Sequence, residues 1–417
     1  MAAGPLRHHP GFRRLLVGAV AGQAAAQLSL VALPLAAVVE LRASAFEAGL
    51  LTATETAAFL LIGLPAGAWL DRVRRMPVLV RSDLVRAAAI GSVPLAAAAG
   101  MLTMPQLYLV SFVVGVATVF FDVSHQSVLP RLLAREHLVS GNGALESVRG
   151  TTAVATPAVG GGLVQALGAS AALALNAVGY LLSALVLRRI RLSETPSPAA
   201  GRGSLRAEIA EGLSFVVRQP LLRPIMLCTA VANFFGAMLA AVQTVYLVRE
   251  LGLTPGLVGV VLSAMAVGGL VAALLAGRLA RAAGDVRVIW LAMLGTVPAA
   301  VLLPMGRGTA GALCFTAGLT LLSFRGVLYN VAQVSLRQRI CPDHLLGRMN
   351  ATLRFVVWGC MPLGAIAGAV VAGGLGTRTA VAVGAAGLLT ALVPLSLSPL
   401  RRMRDLPAER VPESSRD

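Results

Sequence analysis

The sequence predicts an all-α integral membrane protein: twelve transmembrane helices in two pseudo-symmetric six-helix bundles, with both termini cytoplasmic. Three observations predict this class. Of 417 residues, 57% are hydrophobic and only 13% charged, and the mean hydropathy is +0.81; a water-soluble domain carries nearer a quarter charged residues. Apolar runs of about 20 residues, enough to cross the hydrocarbon core as a helix, recur along the chain. The second half of the chain also repeats the first.

Charges, prolines and glycines divide the chain into segments at 14–39, 47–70, 78–100, 105–127, 142–166, 169–187, 222–248, 256–278, 287–305, 309–334, 350–372 and 377–397. The first follows a basic pair and contains an "AVA" resembling a signal cleavage site. Its apolar run reaches Val39, however, too long for the core of a signal peptide. The fifth and sixth segments are separated only around "ALGAS". Between the sixth and seventh lies the longest loop, 188–221, whose Pro/Gly/Ser portion reads as a flexible linker. From Ser204 a short helix with Leu205, Ile209, Leu213 and Val216 on one face is predicted to lie on the membrane surface. The expected organisation is an N-terminal bundle over 1–190, a cytoplasmic linker over 191–221, a C-terminal bundle over 222–398 and a cytoplasmic tail over 399–417.

The basic residues test this division. All 35 are arginine. With the N-terminus in the cytoplasm, Arg42, Arg249, Arg307 and Arg378 fall on the far side and Arg86, Arg149, Arg325 and Arg354 within spans, leaving 27 on the cytoplasmic side. That asymmetry is the positive-inside rule, and it reads the net charge of +17 as a topology signal rather than a nucleic-acid surface. Without lysine there is neither a Walker A site nor a Schiff base, and arginine stays protonated. Proton exchange within the bilayer therefore falls to Asp, Glu or His. Cys228, Cys314, Cys341 and Cys360 show no metal or disulfide spacing. No cofactor is expected, and neither nucleophile motif nor metal cluster points to an enzyme.

The repeat is visible residue by residue. "FFDVSHQSVLPRLLAREHLVSGNGALESVR" (120–149) aligns with "LYNVAQVSLRQRICPDHLLGRMNATLRFVV" (328–357), pairing Ser127 with Ser335, Arg131 with Arg339, Asn142 with Asn350 and Leu145 with Leu353. Gly49 likewise meets Gly259, and Ala66-Gly67 meet Ala276-Gly277. Two parallel six-helix repeats joined by a cytoplasmic loop are the architecture of a rocking transporter.

"GAWLDRVRRMPVL" (67–79) resembles the signature loop of the major facilitator superfamily, with Gly67, Asp71, Arg72, Arg74 and Arg75 in register. Its counterpart "GRLARAAGDVR" (277–287) is degenerate. "SDLVR", "FFDVSHQSVLP" and "LVSGNGALESVRG" further resemble the branch containing enterobactin exporters and macrolide-efflux proteins. Helix 1 of that branch commonly carries Gly-Asp, where Ala25 and Ala26 stand here. Helix 5 resembles the antiporter motif of drug exporters through Gly143, Pro157, Gly160 and Gly161, with Thr152 and Thr156 replacing two glycines. It reads either as that motif or as ordinary small-residue packing.

The resemblance implies a central cavity lined by helices 1, 4, 7 and 10, with helix 2 meeting helix 11 and helix 5 meeting helix 8 across the halves. Gln23, Gln27, Asn233, Gln243, Asn330 and Gln333 then either line the cavity or form interhelical hydrogen bonds. Arg325, roughly 18 Å before Arg337 along its helix, either holds an anionic substrate group or pairs with Asp122 or Glu55. Those two acids are the candidate proton carriers, Asp122 being on a cavity helix, and His125 reads as a relay or as an interfacial histidine. Intramembrane charge needs a partner or a purpose, and Asp83 with Arg86, and Glu146 with Arg149, share helix faces and are expected to neutralise one another.

Under the repeat, Asp71 corresponds to Arg281 and Glu146 to Arg354, each with opposite sign. Two cytoplasmic gate braces are expected: Asp71 with Arg354 or the helix-11 N-terminus, and Glu146 with Arg281 or Arg278. The expected function is proton-coupled export of small amphipathic molecules, drugs or siderophores, by a monomer in the bacterial cytoplasmic membrane. Its partners would be substrate, protons and the lipid bilayer. A proton-symport importer and a non-transporting sensor or assembly partner are the alternatives.

Overall fold

The computed structural model describes residues 9–70, 73–134, 137–190 and 213–405. The first six helices are α1 (Pro10–Leu35), α2 (Ala45–Leu70), α3 (Arg75–Ala98), α4 (Met104–Leu132), α5 (Leu138–Leu167) and α6 (Ala169–Leu187). They are followed by α7 (Leu222–Val245), α8 (Pro255–Ala283), α9 (Arg287–Leu294), α10 (Thr296–Leu302), α11 (Gly308–Ile340), α12 (Asp343–Leu375), α13 (Thr377–Thr390) and α14 (Leu392–Ser396). A helix overlaps each apolar segment marked in the sequence; α9 and α10 share one, broken at Gly295, and α13 and α14 share another. Among the described residues, nine helices are long and apolar enough to cross a membrane. Helices α3 and α5 fall outside that set, as does the broken α9–α10 pair.

Helices are the expected answer to lipid, because each satisfies its own backbone hydrogen bonds. The break between α5 and α6 shows how little is needed to reverse direction: Gly168 alone, at φ 86°, ends one helix and starts the next. Gly376 does the same between α12 and α13 at φ 89°, a left-handed conformation that a side chain resists.

The repeat recurs in packing. In the first bundle α1 packs on α5 and α6, α3 on α4 and α6, and α2 on α4; in the second α7 packs on α12 and α13, α9 and α10 on α11, α10 on α13, and α8 on α11. The bundles meet through α5 with α8 and α2 with α12, which exchange under the repeat. The terminal turn of each bundle's first helix is a π-turn, Ala36–Glu40 and Tyr246–Glu250. Arg42 at φ 52° and Gly252 at φ 66° follow them.

One core spans both bundles at the end where those turns lie, drawing Leu28 and Val31 from α1, Leu239 and Val242 from α7, and Val258 from α8. At the opposite end, which carries Arg74 and Arg75, the cores are separate. Phe12, Leu79, Phe121 and Leu187 form one; Ile225, Ile289, Tyr329 and Leu395 form another. The molecule is thus sealed at one end and parted at the other. In the linker, residues 213–218 are helical, with Val216 buried beside Met226 and Leu353 and Leu213 exposed. Leu205 and Ile209, the other half of the expected amphipathic face, lie outside the described residues.

The seal depends on close backbone approach. A Cβ on Gly161 would stand 2.4 Å from the Pro255 carbonyl, and one on Gly259 2.2 Å from that of Pro157. The Ser263 hydroxyl accepts from the Ala158 amide at 2.9 Å across the same seam. Lipid gives helices no hydrophobic drive to associate, so such small-residue contact is the source of adhesion. Gly259→Leu should therefore part α5 from α8 at the sealed end. In a variant lacking the native cysteines, maleimide labelling of Ala158→Cys should rise several-fold. The control Gly162→Leu, where an added Cβ meets nothing within 4 Å, should leave it unchanged.

Candidate functional site: the opening between the bundles

Helices α5 and α8 diverge from the seam just described. They keep a regular antiparallel register, Gly161 against Gly259, Ala158 against Ser263 and Gly150 against Leu270. Carried onward, that register sets Glu146 opposite Leu274, with Arg278 one turn beyond and Arg281 two. These positions are bare: Glu146, Arg278 and Arg281 are exposed, and Leu274 is 72% exposed. Among the described residues, neither expected partner, Arg281 nor Arg278, contacts Glu146 in this parted form. Glu146 lies 3.8 Å from Arg149 on its own helix, both side chains largely exposed, because the opening removes its cross-bundle neighbours. The second expected brace falls outside the described residues: Asp71 and Arg72 lie there, as does the side chain of Arg354. Gly67 is in the last turn of α2, Arg74 precedes α3 as its N-cap, and Arg75 begins it.

The other cross-bundle seam carries aromatic walls. Phe59 of α2 meets Trp358 of α12 edge to face at 5.1 Å, and Leu60 lies against Gly359. Toward the sealed end, Gly49 packs against Ala369. Glu55 belongs to α2 between these contacts, ten residues from its start at Ala45, about 15 Å into the helix. It is half-buried, and among the described residues it has neither a hydrogen bond nor an ion pair. Asp122, in the part of α4 toward the parted end, is exposed.

Asp83 and Arg86 do neutralise one another, and more deeply than a surface pair. Their side chains form an ion pair with 0% and 3% exposure. The Arg86 guanidinium lies between two rings, 4.2 Å from the centroid of Phe121 and 4.7 Å from that of Tyr180. His125 stacks on one ring of this layer, Phe121, at 5.6 Å. The Tyr180 hydroxyl reaches Ser29 at 3.5 Å, and Ser29 lies 2.7 Å from the Asn176 side chain. The layer ties α3, α4, α6 and α1 together; His125 is its aromatic edge.

Arg325 departs from its expected partners. It pairs with neither Asp122 nor Glu55: it turns into the second bundle, donating to Met293 Sδ at 3.3 Å, and is buried. The reason is the break in the α9–α10 rod. Gly295 leaves room for the arginine stem, 3.3 Å from where a Cβ would stand. Thioether sulfur is a weak acceptor, and Arg325 Nε has no partner among the described residues.

Of the amides, Gln333 and Asn330 come together, the former donating to the latter at 3.0 Å while its own oxygen is buried and has no partner among the described residues. Asn233 donates to Thr229 of its own helix at 2.8 Å. Gln23, Gln27 and Gln243 are half-buried. In α5, Pro157 and Gly161 form the α8 seam, Gly160 faces Leu28 of α1, and Gly143 is exposed with open space about it.

Sequence reasoning passed over the sealed end. Glu40 accepts from the Ser170 amide at 2.9 Å and from its hydroxyl, capping α6; Glu250 accepts from the Thr377 hydroxyl at 2.7 Å, at the start of α13. Between the bundles, Arg249 donates to the Ala43 carbonyl at 2.6 Å. The available signal was "EL" at 40–41 and again at 250–251.

Two like-folded helical bundles, sealed at one end and parted at the other around a polar and aromatic gap, have the architecture of a membrane transporter. The chain belongs to the Major Facilitator Superfamily, whose family model matches residues 15–359. It is 29% identical over 394 residues to the uncharacterized MFS-type transporter y4rN of Sinorhizobium fredii, covering 94% of this chain and 95% of that one. It is 27% identical to the enterobactin exporter EntS of Salmonella choleraesuis, over 96% of each chain. Among solved structures it is similar to a bacterial homologue of the iron transporter ferroportin in the inward-facing state, with a TM-score of 0.76 at 19% identity, over 93% of this chain and 98% of that one. The nucleoside transporter NupG gives a TM-score of 0.73 at 13% identity, over 93% and 98%. The protein is a multi-pass transporter of the bacterial cytoplasmic membrane and not an enzyme.

The buried ion pair yields a test. Removing one partner strands the other charge, at a cost of about 3–5 kcal/mol, whereas replacing both with apolar residues is often neutral. Asp83→Asn should lower the thermal unfolding midpoint in detergent, and Asp83→Leu with Arg86→Met should recover most of the loss. If the double variant is as unstable as the single, the pair does not stabilise this bundle in the way described.

Proposed function

We propose that the protein exports small amphipathic molecules across the cytoplasmic membrane in exchange for protons. In this reading twelve segments cross the bilayer, and both termini and the arginine-bearing end face the cytosol. The parted conformation is then open to the inside. The positive-inside asymmetry of the arginines supports this topology, and the likeness to enterobactin exporters supports the direction. The parts of the chain act as two bundles, 1–190 and 222–398, on either side of the linker.

One observation carries the coupling: Glu55, a carboxylate about halfway through a membrane-spanning helix, has no cation and no hydrogen-bond donor among the described residues. A charge there is costly to keep, so the group is suited to carry a proton when sealed from water and release it when exposed. Asp122, exposed on the cytosolic side, lacks that alternation in solvent access. The adjacent Phe59–Trp358 contact gives the gap an apolar wall that suits an aromatic or aliphatic substrate, while Gln23, Gln27 and Asn330 offer neutral hydrogen bonds. Arg325, turned into its own bundle, is left to position α11 against α9 rather than to hold substrate.

The energetics close. One charge crossing 100 mV supplies about 2.3 kcal/mol and one pH unit about 1.4. At one proton per neutral substrate, these sustain a gradient of several hundredfold. Glu55→Gln should abolish export driven by a pH gradient in proteoliposomes while sparing downhill substrate exchange, and Asp122→Asn should retain gradient-driven export. Undiminished uphill export by Glu55→Gln would refute the assignment.

Closure on the cytosolic side brings α5 back to α8. The observed register favours Arg278 over Arg281 as the partner of Glu146. Glu146→Gln should raise the inward-open population, read by double electron–electron resonance between labels on α5 and α8. Charge exchange, Glu146→Arg with Arg278→Glu, should restore the wild-type distance distribution. A brace of about 1–3 kcal/mol shifts a two-state ratio by between five- and over a hundredfold.

A further inference from the structure

We propose that the second bundle holds the phosphate headgroup of an anionic phospholipid in a basic cleft between α8 and α11, at the end where the bundles part. The proposal rests on the topology above only in assigning that end to the inner leaflet.

The cleft has a volume of about 280 Å³ and is lined by Arg281 of α8, Arg339 and Ser335 of α11, and apolar residues including Leu328 and Ala332. Asp285 lines it too and is already committed to an ion pair with Arg339. A second hollow of about 590 Å³ shares Gly277 and Arg281 with the first, adding Arg278, Val271, Leu274 and Leu275. At their border Gly277 has no side chain of its own, and the Arg281 guanidinium reaches back toward it, 3.6 Å from where a Cβ would stand, so it faces both hollows. The joined surface offers three guanidinium groups against one carboxylate, followed by an apolar trough. Guanidinium groups bind phosphate oxygens through paired hydrogen bonds, and the trough suits an acyl chain.

Depth along α8 places each part. Arg278 lies 23 residues past Pro255, where the helix begins, about 35 Å at 1.5 Å per residue. That is just beyond a hydrocarbon core of about 30 Å, at the level of headgroups. Leu274, one turn earlier at about 29 Å, is still within acyl depth and is 72% exposed. A free phosphate would use the arginines but leave the trough bare, and basic pockets between helices on the cytoplasmic side are where acidic headgroups bind. The α5–α8 register gives the occupant a consequence. Closure carries Asn142 over Arg278 and Val139 over Arg281, so a headgroup lodged there opposes closing.

Retention of lipid tests the proposal. Protein reconstituted in equal phosphatidylglycerol and phosphatidylcholine is extracted into mild detergent, and its bound lipid is counted by native mass spectrometry. Wild type should retain phosphatidylglycerol preferentially. Arg278→Gln with Arg281→Gln, both exposed positions, should reduce that preference about tenfold, Arg278→Lys with Arg281→Lys should keep much of it, and Arg307→Gln at the sealed end should not change it. An equal preference in the Gln pair, or none in wild type, overturns the site. Complete loss of lipid to millimolar inorganic phosphate at matched ionic strength shows a soluble-anion site and overturns the lipid reading. Retention is read on protein that is not transporting, so it stands or falls apart from the coupling role of Glu55.

Discussion

Everything else in this molecule depends on how closely α5 approaches α8 at the sealed end. In a bilayer, helices gain nothing from hiding apolar surface from one another; adhesion comes from van der Waals contact and from a few polar bonds. Gly161 and Gly259 let two backbones touch where any side chain would hold them apart. At these glycines the seam is backbone on backbone, and in the proposed function it acts as a fulcrum. Each bundle has a core of its own at the parted end, so in the proposed function it can tilt there without being unpacked.

The buried charges follow the same division. Asp83 and Arg86 neutralise one another inside the first bundle and are clasped by aromatic rings. Arg325 lies inside the second against a sulfur. Neither needs a group from the opposite bundle, so neither restrains the tilt. Glu55 is different. Along α2 it falls between the two α2–α12 contact regions, among the described residues it has neither a hydrogen bond nor an ion pair, and in the proposed function its solvent access changes as the bundles move.

Much of this was legible from residue types alone. Apolar runs marked every helix, because lipid admits few alternatives, and the repeat in 120–149 and 328–357 appears in the packing as matched helix contacts. What escaped sequence reading was direction within a helix. Arg325 falls on the helix expected for it, but its rotation toward Gly295 depends on a break in the α9–α10 rod that composition does not disclose. The opposite charges of Glu146 and Arg281 suggested a brace, yet only the α5–α8 register, set by glycines some four turns away, shows that Arg278 stands closer. The Glu40 and Glu250 contacts were hidden for another reason: a lone acid at the end of an apolar run looks like punctuation until the helix start it bonds, distant in sequence, is seen beside it.

The two ends of the molecule are therefore held by different physics. At the sealed end, dry backbone contact is supplemented by Arg249 donating to a neutral carbonyl, and such contacts respond weakly to salt. At the parted end the surfaces that must meet carry Glu146, Arg278 and Arg281, exposed to water and ions. Interactions between exposed charges are screened over about 8 Å at physiological ionic strength. Under the proposed function and the proposed headgroup site, ions and acidic headgroups act on one gate and hardly on the other. An environment that neutralises those arginines favours the open form shown here, whereas the energy of the opposite gate is set by shape. The balance between states is adjustable from the arginine-bearing side alone, the side on which the proposed function places the substrate to be exported.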